Sequence, residues 1–211
     1  MSYKYIFCAG APGSKWSSLI KNIYYSPDVD QTDYSDARTY YHDASGKMDL
    51  MHLGAYYDPG MEFGGFFDQL DCYTKTECEA EFDRAFLGTS DRGKRIVKSH
   101  VFAHHVDYLK THWPECPVIL ALRDNDACLG WWVRCGHFNI TYPTYDYYYK
   151  DLRTMSKIID HQNADIQLAW DKYDGIVVRD NQELAQVLGL TQPPQEYQQN
   201  YQVSDLRVKV I

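Results

Sequence analysis

The chain has no surplus of positive charge: 21 lysines and arginines stand against 29 aspartates and glutamates, a formal net charge of −8. That balance argues against a general nucleic-acid or anionic-membrane surface, and it disfavours a long sulfated glycan as a partner. Six cysteines are present (Cys8, Cys72, Cys78, Cys116, Cys128 and Cys135), but none has the C-x-x-C spacing of a structural zinc or dithiol site. No apolar run approaches the roughly 20 residues of a membrane span. The apolar start is broken by Gly10, Pro12 and Gly13, too early for a signal-peptide core. Together these absences predict a soluble, cytoplasmic protein with free thiols. A kinase-type phosphate loop is also missing. Gly10 and Lys15 are one residue too close for it, Ser14 precedes the lysine where glycine is needed, and Trp16 follows it.

What is present predicts one α/β domain over residues 1–211. The chain is 45% hydrophobic, enough for a core and too apolar for a disordered chain. "YKYIFCA" (3–9) is a short apolar run ending in glycine, which predicts a buried strand. Leu19, Ile20 and Ile23 then recur at helical spacing, so 17–24 predicts a helix and "AGAPGSK" a strand-to-helix turn. Further strands are predicted at 94–100, 116–124 and 175–178, with a weak one at "RVKVI" (207–211). Helices are predicted at 74–87, 104–113, 124–138, 147–170 and 181–190. The first of these opens with a Thr74/Glu77 capping box and carries an apolar stripe of Cys78, Phe82, Ala85 and Phe86. Between 26 and 65 no period survives, which predicts a lid or insert at about 26–67. Nineteen tyrosines could line a cleft or pack amphipathically. The alternation of strands and helices predicts a central parallel sheet flanked by helices, with ligands at the carboxyl ends of its strands.

The candidate chemistry collects at three such ends. Ala11, Pro12, Gly13 and Ser14 form a small-residue turn whose N–H groups can face an anion, and the following helix N-terminus adds positive dipole. Lys15, Trp16, Ser17 and Ser18 complete that segment, and both serines can donate hydrogen bonds. A plain turn with proline and glycine as breakers is the alternative. His100 closes the second strand: it is either a hydrogen-bonded interior histidine or a base for an acceptor hydroxyl. His104 and His105 follow, but H-x3-H-H lacks a carboxylate or cysteine at zinc-ligand spacing. Arg123 ends the third strand and can hold a phosphate, or pair with Asp124 or Asp126.

In order, "GAPGSKWSS", "RIVKSH" and "VILALRD" resemble the three signatures of sulfotransferases that use 3′-phosphoadenosine 5′-phosphosulfate (PAPS). The match in order and spacing spans roughly 3–190, with "GIVVRDNQELAQVLGL" loosely similar to a later strand-helix stretch of that family. The resemblance implies a P-loop NTPase-like sulfotransferase fold. It implies a cradle for the 5′-phosphosulfate at 11–18, His100 as catalytic base and Arg123 on the 3′-phosphate. Lys15 is expected to reach the bridging oxygen, and Lys98 to neutralise the transferring group or be solvated. The family loop commonly runs Pro-Lys/Arg-Ser-Gly-Thr. Here Gly13 stands at the basic residue, Lys15 at the glycine and Trp16 at the threonine. The family's serine after the arginine is absent, with Gly130 and Trp131 in its neighbourhood, so Arg134 or Arg179 is expected to complete the site. The Arg-Lys-Gly signature of the cytosolic enzymes is missing from the tail. The expected activity is sulfuryl transfer to a hydroxyl or amine of a small molecule, with no metal and no nucleic-acid or membrane partner. Lids are expected at 40–67 and 142–149. A P-loop nucleotide or small-molecule kinase and a non-catalytic module of the same fold remain as rival readings.

Overall fold

The computed structural model describes residues 3–33, 53–57, 69–88, 92–134, 151–195 and 205–211. Its axis is β1 (Tyr5–Gly10), buried along its whole length. Side chains of β1 alternate between two apolar layers. Ile6 and Cys8 enter one, while Tyr5, Phe7 and Ala9 enter the other. This two-residue period with both faces covered is why the segment reads as a continuous apolar run.

The chain then turns into α1 (Trp16–Tyr24) and later adds the short β2 (Ala55–Tyr56). Next come α2 (Lys75–Arg84) and β3 (Arg95–Lys98), and a 3-10 turn (Val101–His105) that leads into α3 (Val106–His112). β4 (Val118–Arg123), α4 (Asn125–Arg134), α5 (Leu152–Lys172), β5 (Ile176–Val178), α6 (Asn181–Val187) and β6 (Leu206–Val210) follow. The strands form one six-stranded sheet in the order β2-β3-β1-β4-β6-β5. α1, α4, α6 and the first half of α5 cover one face. α2, α3 and the second half of α5 cover the other.

The class is α/β with helices on both faces, but the sheet is mixed rather than parallel. β2, β3, β1 and β4 pair in parallel, whereas β6 pairs antiparallel with both β4 and β5. The tail strand looked weak because Arg207 and Lys209 interrupt its valines. Lys209 is nonetheless buried, and its ammonium donates to the carbonyls of Trp170 (2.7 Å) and Tyr173 (2.6 Å) at the end of α5. A cation there also meets the negative end of the helix dipole.

Local signals hold at several boundaries. Thr74 and Glu77 form both halves of the capping box of α2. Asp124 accepts from the amide of Ala127 at the start of α4. Asp151, not residue 147, caps α5 by accepting from Thr154. Of the stretch 26–67, the described parts, 26–33 and 53–57, belong to the body of the fold. Val29, Leu53 and Tyr57 are buried, and Ala55–Tyr56 pairs with β3. The rest of that stretch, and the lid expected at 142–149, lie outside the described residues. No helix among the described residues is long and apolar enough to cross a membrane.

Candidate functional site

Parallel pairing places the carboxyl ends of β3, β1 and β4 side by side, with β1 in the middle. The turn after β1 therefore sits between Lys98 and His100 on one side and Arg123 on the other. In the turn, Ser14 donates its amide to the Ala11 carbonyl (3.0 Å). Gly13 has φ 79° and Lys15 has φ 65°. Both lie in the left-handed region, which costs an ordinary residue about 1–2 kcal/mol. Glycine at 13 is required twice over, because a Cβ there would run into the carbonyl of Cys128 in α4. α4 thus occupies the space that a side chain at position 13 would need. Lys15 is the one described non-glycine residue with positive φ.

The start of α1 holds donors without acceptors. Lys15 supplies no side-chain cap. The amides of Trp16 and Ser17 find no acceptor among the described residues, and Ser14 Oγ is buried with no hydrogen-bond partner. Ser14, Trp16 and Ser17 are all buried. The first amides of a helix have no intrahelical acceptor, and the helix dipole favours an anion beside them; the buried Ser14 hydroxyl adds an unpaired group there. Gly10 lets the turn close down, since a Cβ on it would lie 2.8 Å from Ser14 Oγ.

His100 is 5% exposed and stacks on Trp16 (ring centres 4.2 Å apart, 26° between planes), with Tyr56 edge-on at 5.9 Å. Its Nδ1 is hydrogen-bonded to the Gly10 carbonyl. A carbonyl only accepts, so Nδ1 carries the proton and the neutral ring keeps its lone pair on Nε2. Lys98 is 0% exposed, which removes the expectation of a solvated lysine. Its ammonium lies 5.6 Å from the Trp16 ring centre and 5.4 Å from that of Tyr56, a cation–π box. Burial pushes the nearby Cys8 thiol up to about 12, with the Lys98 charge pulling the other way. Cys128 is likewise pushed to about 12 by burial. Neither thiol is a nucleophile at neutral pH.

Two expected roles look different in place. Lys15 turns away toward α4, with its ammonium 3.9 Å from the Trp131 ring centre. Arg123 is 8% exposed and pairs with neither Asp124 nor Asp126. Its Nε donates to Asp205 (2.9 Å) and an Nη to the Gly13 carbonyl (2.9 Å). Arg179 is 84% exposed, engaged by Glu183 and two strands away, so it does not complete an Arg123 site. Arg134 is exposed at the end of α4. His104 goes to Asp165 and His105 lies 3.9 Å from Asp71, so the two histidines diverge. Among the described residues no group of three or more histidine, cysteine or acidic side chains is placed to hold a metal.

Sequence reading missed Tyr56, Asn163 and Asp205. Tyr56 lay in a stretch without period. Asn163, mid-helix in α5, donates to the Arg123 carbonyl (2.8 Å) and to Asn125 (2.6 Å), fixing the end of β4. A cleft of about 550 Å³ opens beside Arg123, lined among others by Asp124, Asn125, Asp160, Asn163 and Arg207. No protein-family model, curated protein or solved structure matches the chain.

Proposed function

We propose that the protein is a sulfotransferase that uses PAPS to sulfate a hydroxyl or amine of a small molecule, on a P-loop-like α/β fold. One observation carries the reading: the buried, unpaired Ser14 hydroxyl and the first amides of α1 are flanked by His100 and Lys98 on one strand end and Arg123 on the other. Adjacent strands are about 4.8 Å apart, so Arg123 and the His100 side lie roughly two strand spacings from each other. A nucleotide with 5′ and 3′ anionic groups suits such a span.

PAPS supplies the sulfuryl group, and its sulfur–oxygen bond to the 5′-phosphate breaks as the acceptor atom bonds to sulfur. The amides of Trp16 and Ser17 and the Ser14 hydroxyl bind the phosphosulfate oxygens, where negative charge grows in a loose transition state. Lys98, held dry by Trp16 and Tyr56, supplies fixed positive charge beside it. His100 Nε2 takes the acceptor's proton.

Lys15 on Trp131 favours a second reading, a binding module of the same fold, because that lysine is turned from the cradle. It also counts against a kinase, whose loop lysine must meet the phosphates. A thermal-shift series separates the three. Adenosine 3′,5′-bisphosphate at a hundred times its Kd is expected to raise Tm by about 5–10 °C, and AMP much less. Equal shifts with AMP would remove the 3′-phosphate subsite. A shift seen only with ATP and magnesium would replace the reading by a kinase. Bisphosphate binding without turnover of labelled PAPS on a broad acceptor panel would leave the module.

A further inference from the structure

We propose that Asp205 is an internal counter-anion that sets how much ligand charge the Arg123 subsite accepts; the proposal rests on the nucleotide reading above. β6 starts beside the carboxyl end of β4, since Leu206 pairs with Arg123. The residue before it is thereby delivered to the guanidinium. Asp205 takes the Nε edge at 2.9 Å, and one Nη holds the Gly13 carbonyl of the anion turn. Arginine has five N–H donors, so three remain, and Arg123 is among the residues that line the open cleft. An anion entering there meets a buried cation whose charge is already matched by a carboxylate.

The pair is built for exchange more than for permanence. Asp205 Oδ1 is buried and makes no hydrogen bond. Only one of its two oxygens is served, so the bidentate fork that gives an arginine–carboxylate pair its strength is not formed. The side chain of Asp205 is one-third exposed, whereas that of Arg123 is 8% exposed. Asp205 therefore has solvent to move into and Arg123 does not. Asp124 and Asp160 line the cleft, but Asp124 caps α4 and Asp160 accepts from Asn125, so both carboxylates are committed elsewhere. Asp205 alone among these faces the guanidinium directly. Its charge disfavours a dianionic group, and because PAPS and the bisphosphate product carry the same 3′-phosphate, it sets the hold on both.

The test compares wild type with Asp205→Asn, whose amide oxygen still accepts from Arg123 Nε without charge. Affinities for adenosine 3′,5′-bisphosphate, AMP and inorganic sulfate are read by titration calorimetry, with Tm recorded for each variant. The bisphosphate is expected to bind on the order of tenfold tighter to Asp205→Asn, the size expected when a like charge beside a partly buried anion is removed. AMP, which lacks the 3′-phosphate, should change little. Asp205→Ser serves as a second charge-neutral variant if the asparagine form does not fold. Unchanged or weaker bisphosphate binding in a folded variant would overturn the inference, the latter making Asp205 a positioning residue for Arg123. Sulfate binding gained by the variant with no nucleotide binding in either protein would keep the counter-anion and end the sulfotransferase reading. No anion bound by either protein would end both.

Discussion

At the scale of single residues, His100 is the sharpest claim. Its proton is placed on Nδ1 by the Gly10 carbonyl, and its ring is held by Trp16. Glutamine at 100 offers an N–H to the same carbonyl but no basic nitrogen. His100→Gln is therefore expected to keep near-native Tm and bisphosphate affinity while turnover of labelled PAPS falls by about two orders of magnitude or more. Undiminished turnover would make His100 a packing residue. His104→Gln is the control, since that ring belongs to a surface pair with Asp165. Trp16 is a contact no local pattern showed: its indole stacks on His100 and lies under the Lys98 ammonium.

At the scale of elements, α2 is fastened to the sheet by one carboxylate. Asp83 accepts from Lys4 (2.6 Å), from the Tyr5 hydroxyl (2.8 Å) on β1 and from Arg95 (2.7 Å) on β3. Arg95 also reaches the buried Asp30 (3.1 Å). Burial works against the Asp83 charge, but the hydrogen bonds from Lys4, Tyr5 and Arg95 outweigh it and hold the carboxyl below its usual range. A depressed folded-state pKa means the unfolded chain binds the proton first. The stability it brings is present above about pH 4 and is lost as pH falls through the lower folded value. Acid unfolding followed by circular dichroism should show this, and Asp83→Asn should flatten the profile below about pH 4. An identical acid limb in the variant would assign the acid sensitivity to other carboxylates. The same network explains why 26–33 is ordered without any periodic pattern: Asp30 is fixed by charge, not by a repeating apolar face.

At the scale of the whole molecule, β6 decides the topology. Among the described residues β5 pairs only with β6, so the tail strand ties β5 to the rest of the sheet. It also brings Lys209 onto the end of α5 and Asp205 onto Arg123. Lys209→Ala strands two helix-terminal carbonyls and is expected to cost about 1.5–3 kcal/mol. For a chain of this size Tm should fall on the order of 5 °C, read by scanning calorimetry. An unchanged Tm would show that the strand ladder holds the tail without the lysine.

The sequence alone determined the elements whose signals are local. β1, β3 and β4 show as apolar runs, α2 as a capping box with a stripe, and the "GAPGSK" turn as breakers between a strand and a helix. It also determined that Arg123 ends one strand and that His100 follows the end of another, because strand ends can be read from where apolar runs stop. Tertiary structure decided what those ends meet. Arg123 and Asp205 are 82 positions apart, and His100 and Gly10 are 90 apart. Such pairs leave no periodic trace, since periodicity encodes which face of one element is buried and not which element covers it. The same reason hid the antiparallel tail strand, the closure of α4 over Gly13 and the turn of Lys15 toward Trp131. Backbone dihedrals and burial are written residue by residue, whereas partners are chosen only when the layers pack.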